Sequence, residues 1–240
     1  MSLRSFITIV ASPRPRVGKT LLARLVADFH LYNGRDVSAF DLNPPEDGLT
    51  QYLPVHTTIA NISEIKGQMA LFDALVRDDK VQKIVDVGAE GFERFFMVAR
   101  DIDLDGEARR RGLAPVILFM VSPDPASVDG YAALARLFPQ ATLVPVHNGF
   151  LGNAQHRDRF PPHGKGAAMI HIPALAPGLR RVTERKPFSF FETSGSAAPD
   201  VPLDIHIELQ RWLRKIFLEI RELELRVLMA DLQSSLHVQS

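Results

Sequence analysis

Apolar segments of strand length alternate along this chain with segments that have helical periodicity. The strand segments span residues 6–11, 37–42, 81–87, 115–121, 141–147 and 168–172, and the helical ones span 21–30, 59–75, 92–99, 126–138 and 179–185. Continuously apolar strands are buried on both faces, and strands that alternate with helices form parallel sheets covered on both sides. The sequence therefore predicts an α/β fold with a doubly wound, mostly parallel sheet of seven or eight strands.

Composition limits the setting and the partners. Cysteine is absent from the 240 residues, which excludes disulfides, thiolate metal sites and cysteine nucleophiles and favours a reducing compartment. The 28 basic and 28 acidic residues cancel, so no global field attracts nucleic acid or acidic lipid. The sequence shows neither a signal-peptide layout nor an apolar stretch of about 18 residues. We therefore expect a cytoplasmic protein.

Polar residues follow three of the predicted strands, at the edge where ligands bind to parallel sheets. Gly18-Lys19-Thr20 stands between the first strand and the first helix, while Asp41 and Asp86 end the next two strands. Glycine lets backbone N–H groups approach phosphate oxygens, a lysine neutralises the β- and γ-phosphates, and a threonine hydroxyl is a ligand for Mg²⁺. This arrangement indicates a nucleotide site.

The loop at residues 12–20, Ser-Pro-Arg-Pro-Arg-Val-Gly-Lys-Thr, resembles the deviant Walker A loop of the ParA/MinD group, the CobQ/CobB/MinD/ParA nucleotide-binding domain. The family's loop reads Gly-Gly-Lys-Gly-Gly-Val-Gly-Lys-Thr, and the resemblance covers roughly residues 5–192. Asp41-Leu42-Asn43-Pro44-Pro45 is similar to the family's Asp-Leu-Asp-Pro-Gln segment. The resemblance implies ATP or ADP and Mg²⁺ as ligands and a homodimer that sandwiches the nucleotide.

The resemblance also implies roles for individual residues. Arg14 would take the place of the signature lysine that reaches the partner's nucleotide, Asn148 would recognise the base, and Ile172-Pro173 would correspond to the family's Ile-Pro turn. The implied nucleotide-binding set is Arg14, Arg16, Val17, Gly18, Lys19, Thr20, Leu21, Asn148 and Pro173. The implied catalytic set is Lys19, Arg14, Asn43 and Asp86. The implied Mg²⁺ ligands are Thr20, Asp41 and Asp86.

Three departures from the family pattern bear on hydrolysis. Pro13 and Pro15 replace loop glycines, and Pro15 has no N–H with which to contact phosphate. Arg14 and Arg16 add cationic charge that compensates in part, because arginine binds phosphate bidentately. Asn43 stands where the family has an aspartate that positions the attacking water. Nucleotide binding is therefore better supported by the sequence than hydrolysis is.

The chain divides into a nucleotide-binding domain at residues 1–193, a linker at 194–202 and a helix at 203–236. The helix carries apolar residues at alternating steps of four and three from Leu209 to Val227. Trp212 and Phe217 widen this stripe to the face of a helix packed on a globular body. A cover for its own sheet and a contact for a dimer or a partner protein are equally compatible with this pattern.

Other charged segments have simpler interpretations. Residues 101–106 imitate half of an EF-hand loop, but Gly112 occupies the position that needs a glutamate, so we predict a solvated acidic loop. The arginines at 109–111 and the basic residues at 180–186 are expected to be solvated. Non-specific DNA binding is the alternative, and interleaved glutamates in the last helix disfavour a membrane surface.

The leading functional hypothesis is an ATP-dependent molecular switch, a slow Mg²⁺-dependent ATPase that positions a cargo through a protein partner or cargo adaptor. One alternative is a degenerate P-loop scaffold with little or no hydrolysis. The other is a biosynthetic enzyme of the CobB or dethiobiotin-synthetase type, although no second motif supports a pocket for its substrate.

Overall fold

The structure is a computed structural model that describes residues 5–43, 48–152, 158–195 and 201–237. Seven parallel strands form one sheet in the order β3-β2-β4-β1-β5-β6-β7. The strands are β1 Phe6–Ala11, β2 Val37–Asp41, β3 Thr57–Ile59, β4 Gln82–Asp86, β5 Ala114–Met120, β6 Thr142–Asn148 and β7 Ile170–Ile172. The predicted parallel α/β sheet is confirmed.

Eight α-helices connect and flank the strands in the described part of the chain. They are α1 Lys19–Tyr32, α2 Ile65–Leu75, α3 Phe92–Asp101, α4 Leu104–Arg110, α5 Pro125–Leu137, α6 Pro177–Thr183, α7 Phe190–Gly195 and α8 Leu203–His237. Two short 3₁₀ helices lie at Leu49–Gln51 and Gly149–Leu151. No helix in these ranges combines the length and the apolarity needed to cross a membrane.

Two hydrophobic layers cover the two faces of the sheet. One layer contains α1 residues such as Leu25 and Phe29 together with α8 residues such as Leu213 and Ile220. The other layer contains aromatic residues of α3, such as Phe95 and Phe96, packed with side chains from α2 and α5. The sheet is therefore doubly wound, as predicted, and α8 covers its own sheet with its inner apolar face.

The structure corrects three local predictions. The segment predicted as helix at 59–75 begins with the end of strand β3, and its helix starts only at Ile65. The acidic segment 101–106, predicted to be a loop, contains the turn between two helices, where Asp103 accepts a hydrogen bond from the Gly106 N–H as the N-cap of α4. The predicted linker at 194–202 overlaps the end of α7, and residues 196–200 lie outside the described residues.

The sheet brings the polar strand ends to one edge. β1 lies between β4 and β5, and Asp41 pairs in register with Asp86 across β2 and β4. From β1 the chain crosses to β2 on one side, whereas from β5 it continues to β6 on the other. A crevice at such a reversal is where open α/β sheets bind their ligands.

Candidate functional site

The loop between β1 and α1 lies at the carboxyl end of β1 and leads directly into the first turn of α1. Gly18, the N-cap of α1, has a φ of 99°, and no described side chain caps this helix end. The first turn of α1 also lacks acidic residues. Unsatisfied N–H groups and the positive end of the helix dipole favour an anion at such a position.

Arg16 adopts a backbone conformation that favours glycine. Its φ of 59° lies in the left-handed region, where glycine is the residue with least strain. The family that the loop resembles has a glycine pair at Pro15 and Arg16, so the glycine-like conformation is kept while its glycine is replaced. The Arg16 side chain is exposed at the rim of the crevice.

Lys19 folds back onto the loop. Its Nζ donates to the backbone oxygen of Arg14 at 2.8 Å, and the residue is only 6% exposed. Burial lowers the pKa of Lys19, and the nearby Asp86 acts in the opposite direction. An incoming phosphate would offer this ammonium group an anionic partner in place of a neutral carbonyl oxygen.

Thr20 and Asp86 form the centre of the site. The Thr20 Oγ1 donates to Asp86 Oδ2 at 2.7 Å, while Asp86 Oδ1 is buried and has no hydrogen-bond partner among the described residues. Burial raises the pKa of Asp86 to about 7, and the neighbouring Asp41 contributes in the same direction. A buried carboxylate oxygen without a donor is open to a proton or a cation.

Asp41 has a different environment from Asp86. Its Oδ1 accepts from the backbone N–H and the side-chain Nδ2 of Asn43, both at 3.0 Å. Its Oδ2 accepts from the backbone N–H and the hydroxyl of Thr50, at 2.8 and 2.9 Å. With both oxygens occupied, Asp41 anchors the ends of the loop between β2 and the 3₁₀ helix Leu49–Gln51.

Asn43 is also held by the protein. Besides its bond to Asp41, its Nδ2 donates to the backbone oxygen of Asp86 at 3.3 Å. Pro44 and Pro45, which complete the segment that resembles the family's, lie outside the described residues. The amide has no proton-accepting nitrogen, so Asn43 ties the ends of β2 and β4 together rather than supplying a base.

Arg14 contacts a carboxylate of its own chain. Its Nε lies 3.4 Å from Asp124 Oδ1, and its side chain is half exposed. Asp124 is the N-cap of α5 and also accepts from the Ser127 N–H. Pro13 packs nearby: a Cβ added to Gly130 of α5 would lie 3.1 Å from its ring. Loop and helix α5 are thus in contact in this conformation.

Asn148, the residue implied for base recognition, lies next to the loop. Asn148 Nδ2 donates to the backbone oxygen of the buried Val17 at 3.1 Å, and a Cβ on Gly18 would lie 2.7 Å from this nitrogen. Pro173 follows β7, and its oxygen accepts from Trp212 Nε1 at 2.9 Å. Leu21 faces the core beneath the loop. Asn148 therefore fixes the loop in this conformation, while Pro173 contacts α8.

The donor set fits a magnesium ion that is shared with a phosphate group. The buried, unpartnered Asp86 Oδ1 and the Thr20 hydroxyl are oxygen ligands on adjacent elements, and Mg²⁺ is usually held by one or two protein oxygens plus substrate phosphates. Across the described residues, no group of three or more histidine or acidic side chains is placed to hold a metal by itself. Both Asp41 oxygens already accept hydrogen bonds from Asn43 and Thr50, so Asp41 would contribute only its negative charge to a bound cation.

Two residues of the site were missed by the sequence analysis. Thr50 was overlooked because it lies beyond the strand end that carries Asp41, and the short 3₁₀ helix that returns it has no periodicity. Asp124 could have been found from the sequence. It follows a continuously apolar strand and precedes Pro125, and proline is typical of the first position of a helix.

Comparisons with known proteins leave the chain without an assigned family. It matches no protein-family model, and a search of curated proteins found no match either.

Proposed function

We propose that this chain is an ATP-binding molecular switch of the ParA/MinD type, which binds ATP with Mg²⁺ at the β1–α1 loop. The observation that carries the proposal is the Thr20–Asp86 pair at 2.7 Å, with the second Asp86 oxygen buried and unpartnered among the described residues. Lys19 lies in the same loop, and its ammonium donates to a neutral carbonyl oxygen at 2.8 Å. A bound phosphate needs at least the Lys19 ammonium, and a bound cation needs at least the oxygens of Thr20 and Asp86.

Each group has one role in the proposal. The N–H groups at the start of α1 and the ammonium of Lys19 hold phosphate oxygens, and Thr20 and Asp86 hold the cation. Bound Mg²⁺ would neutralise phosphate charge. Arg14 separates from Asp124 if it is to reach a nucleotide on a partner subunit, because the two side chains are paired at 3.4 Å in the single chain.

Asn43 supports a second candidate, a P-loop scaffold that binds ATP without turning it over. Its amide is committed to Asp41 and to the Asp86 backbone oxygen, so nothing at this position accepts a proton from water. Phosphoryl transfer relies mainly on positioning and charge stabilisation, which leaves room for slow turnover. A phosphate-release assay separates the two: a rate lost in Lys19→Ala selects the switch, and no turnover with intact ATP binding selects the scaffold.

The binding experiment compares two lysine variants. Lys19→Ala should weaken binding of a fluorescent ATP analogue by roughly a hundredfold, because a charge-assisted bond of about 1.5–3 kcal/mol is lost along with wider neutralisation of the phosphates. Lys66→Ala, on the exposed side of α2, is the matched control and should bind like the unmodified protein. Unchanged affinity in Lys19→Ala would refute the proposed site.

A further inference from the structure

Helix α8 carries a second apolar stripe on the side that faces away from the sheet. Leu218, Leu225, Met229 and Leu232 are 59%, 55%, 60% and 57% exposed. At 100° per residue these four fall within about 60° of one another, opposite the inner positions Leu209, Leu213, Ile216 and Ile220. The inner face covers the sheet, so the outer stripe is a separate feature of the helix.

Arginines continue the outer stripe toward the N-terminal half of α8. Arg211 and Arg214 precede Leu218, and Arg221 stands between Leu218 and Leu225. From Arg211 to Leu225 these positions alternate steps of three and four, as in a heptad seam that faces a partner helix. Met229 and Leu232 extend the stripe after a second consecutive step of four, and Glu222, which pairs with Arg226, lies on the same face. The outer seam of α8 is therefore Arg211, Arg214, Leu218, Arg221, Leu225, Met229 and Leu232.

Among the described residues, no carboxylate forms a salt bridge with an arginine of this seam. Arg211 and Arg214 form no hydrogen bond or ion pair with any described residue, and Arg221 Nη2 donates to the neutral Asn33 Oδ1 at 3.1 Å. Arg221 interacts electrostatically with Glu224, but Glu224 already binds Arg35 at 2.9 Å. Arg226, off the seam, pairs with Glu222.

A cavity opens beside the seam, between the end of α1 and the middle of α8. Its volume is about 150 Å³, and Tyr32, Asn33, Gln210, Arg214 and Phe217 contribute to its walls. The Gln210 Nε2 atom is buried there without a hydrogen-bond partner in the described part of the chain. The cavity is large enough for one side chain and offers donors to an acceptor group.

We propose that the outer seam of α8 binds an acidic amphipathic helix of a partner protein. Apolar residues of that helix pack on Leu218, Leu225 and Met229, its carboxylates pair with Arg211, Arg214 and Arg221, and one acceptor side chain enters the cavity. A second copy of this chain is a poorer occupant, because Arg211, Arg214, Lys215 and Arg221 outweigh Glu222 on this exposed face, and Glu222 is already paired with Arg226, so two such faces repel each other. This inference is independent of the nucleotide site.

The probe is a synthetic fluorescent peptide of four heptads with leucine at positions a and d and glutamate at e and g. The control peptide has the same sequence except for lysine at positions e and g. We expect the full-length protein to bind the acidic peptide at least about tenfold more tightly than the basic one, with binding that weakens as salt is added. Arg214→Glu and Leu225→Glu should each lower the affinity for the acidic peptide by about tenfold or more. Lys19→Ala should leave this affinity unchanged.

Lys66→Glu is the matched control for charge reversal, because Lys66 is exposed on α2, which packs on the other face of the sheet from α8. It should bind the acidic peptide normally, and thermal unfolding should show that the two α8 variants fold, since the changed side chains are exposed. Absent binding of the acidic peptide, equal binding of both peptides, or indifference to Arg214→Glu overturns the proposal. So does a dimer of the protein alone that sedimentation shows to dissociate in Leu225→Glu, because a second copy then occupies the seam.

Discussion

Asp41 and Asp86 end neighbouring strands and pair in register, yet the protein donates hydrogen bonds to them very differently. Asp41 accepts four hydrogen bonds, two from Asn43 and two from Thr50. Asp86 accepts one from Thr20 and keeps its other oxygen buried without a partner among the described residues. The number of protein donors separates a residue that fixes a loop from one that is open to a ligand.

The difference is energetic as well as geometric. A buried carboxylate with one oxygen undonated is costly in its charged form, and burial accordingly raises the pKa of Asp86 to about 7. A cation at the free oxygen removes this cost. Asp41 gains nothing comparable from a cation, because the donors of Asn43 and Thr50 would first have to move.

The strongest way to break the comparison is to substitute each aspartate by asparagine. Asp86→Asn removes the charge and one oxygen lone-pair site, so we expect about a hundredfold loss of ATP affinity in the presence of Mg²⁺ and no response to added Mg²⁺. Asp41→Asn should keep its response to Mg²⁺. Binding of a fluorescent ATP analogue across a magnesium titration measures the ATP affinity and the Mg²⁺ response of both variants. Equal losses of ATP affinity and of Mg²⁺ response in the two variants would contradict the distinction between Asp41 and Asp86.

Stability should respond in the opposite order. Asp41→Ala leaves the N–H groups of Asn43 and Thr50 without their acceptor, so we expect a loss of about 3 kcal/mol in the free energy of unfolding. Asp86→Asn should lose little or gain stability at pH 8, because a buried charge is removed. Urea denaturation of the two variants beside the unmodified protein measures this, and a larger loss in Asp86→Asn would refute our assignment of Asp41 as the anchor.

Asp28 extends the comparison of buried aspartates, because both of its oxygens accept hydrogen bonds from the protein. Its Oδ1 accepts from the Ser189 hydroxyl and its Oδ2 from the Phe190 N–H, both at 2.7 Å. Burial still raises its pKa to about 6, against the opposing effects of these bonds and of Arg24. Because the folded state holds the proton more tightly, the contribution to stability is full below about pH 4 and decreases as the pH rises through 6.

The expected size of the Asp28 effect is about 2 kcal/mol lost between pH 4 and pH 6. Asp28→Asn keeps the shape without titrating: its oxygen can still accept from the Phe190 N–H, and its NH₂ donates to the Ser189 Oγ, which reverses that bond. Its free energy of unfolding should therefore lack the pH-dependent component. Urea denaturation of both proteins at several pH values gives the difference. Parallel pH profiles would show that another group is responsible.

The central part of the sheet could be predicted because its strands are buried on both faces. Segments such as 115–121 are apolar without interruption, and only a strand in the interior of a parallel sheet explains this. β3 could not be predicted in the same way, because Thr57–Ile59 is a short edge strand whose residues are partly or fully exposed. Helix α4 was hidden because its sequence is dominated by charges that form pairs on its surface, such as Arg111 with Glu107.

The proximity of the candidate residues could be predicted, but their internal bonds could not. Lys19 and Thr20 begin the helix that follows β1, Asp86 ends β4, and the sheet brings Thr20 and Asp86 into contact. No sequence pattern indicated that Arg14 would pair with Asp124 or that Asn148 would donate to Val17, because both contacts depend on how the loop folds over the sheet edge. The choice between Asp41 and Asp86 likewise required Thr50, which returns through the 3₁₀ helix.

Calorimetric titration of the unmodified protein with ATP, with and without Mg²⁺, tests the central claim most directly. The account predicts binding in the presence of Mg²⁺, with an affinity at least about tenfold lower when the ion is chelated, because Asp86 then has no cation at its free oxygen. No binding under either condition, or the same affinity with and without Mg²⁺, would contradict it.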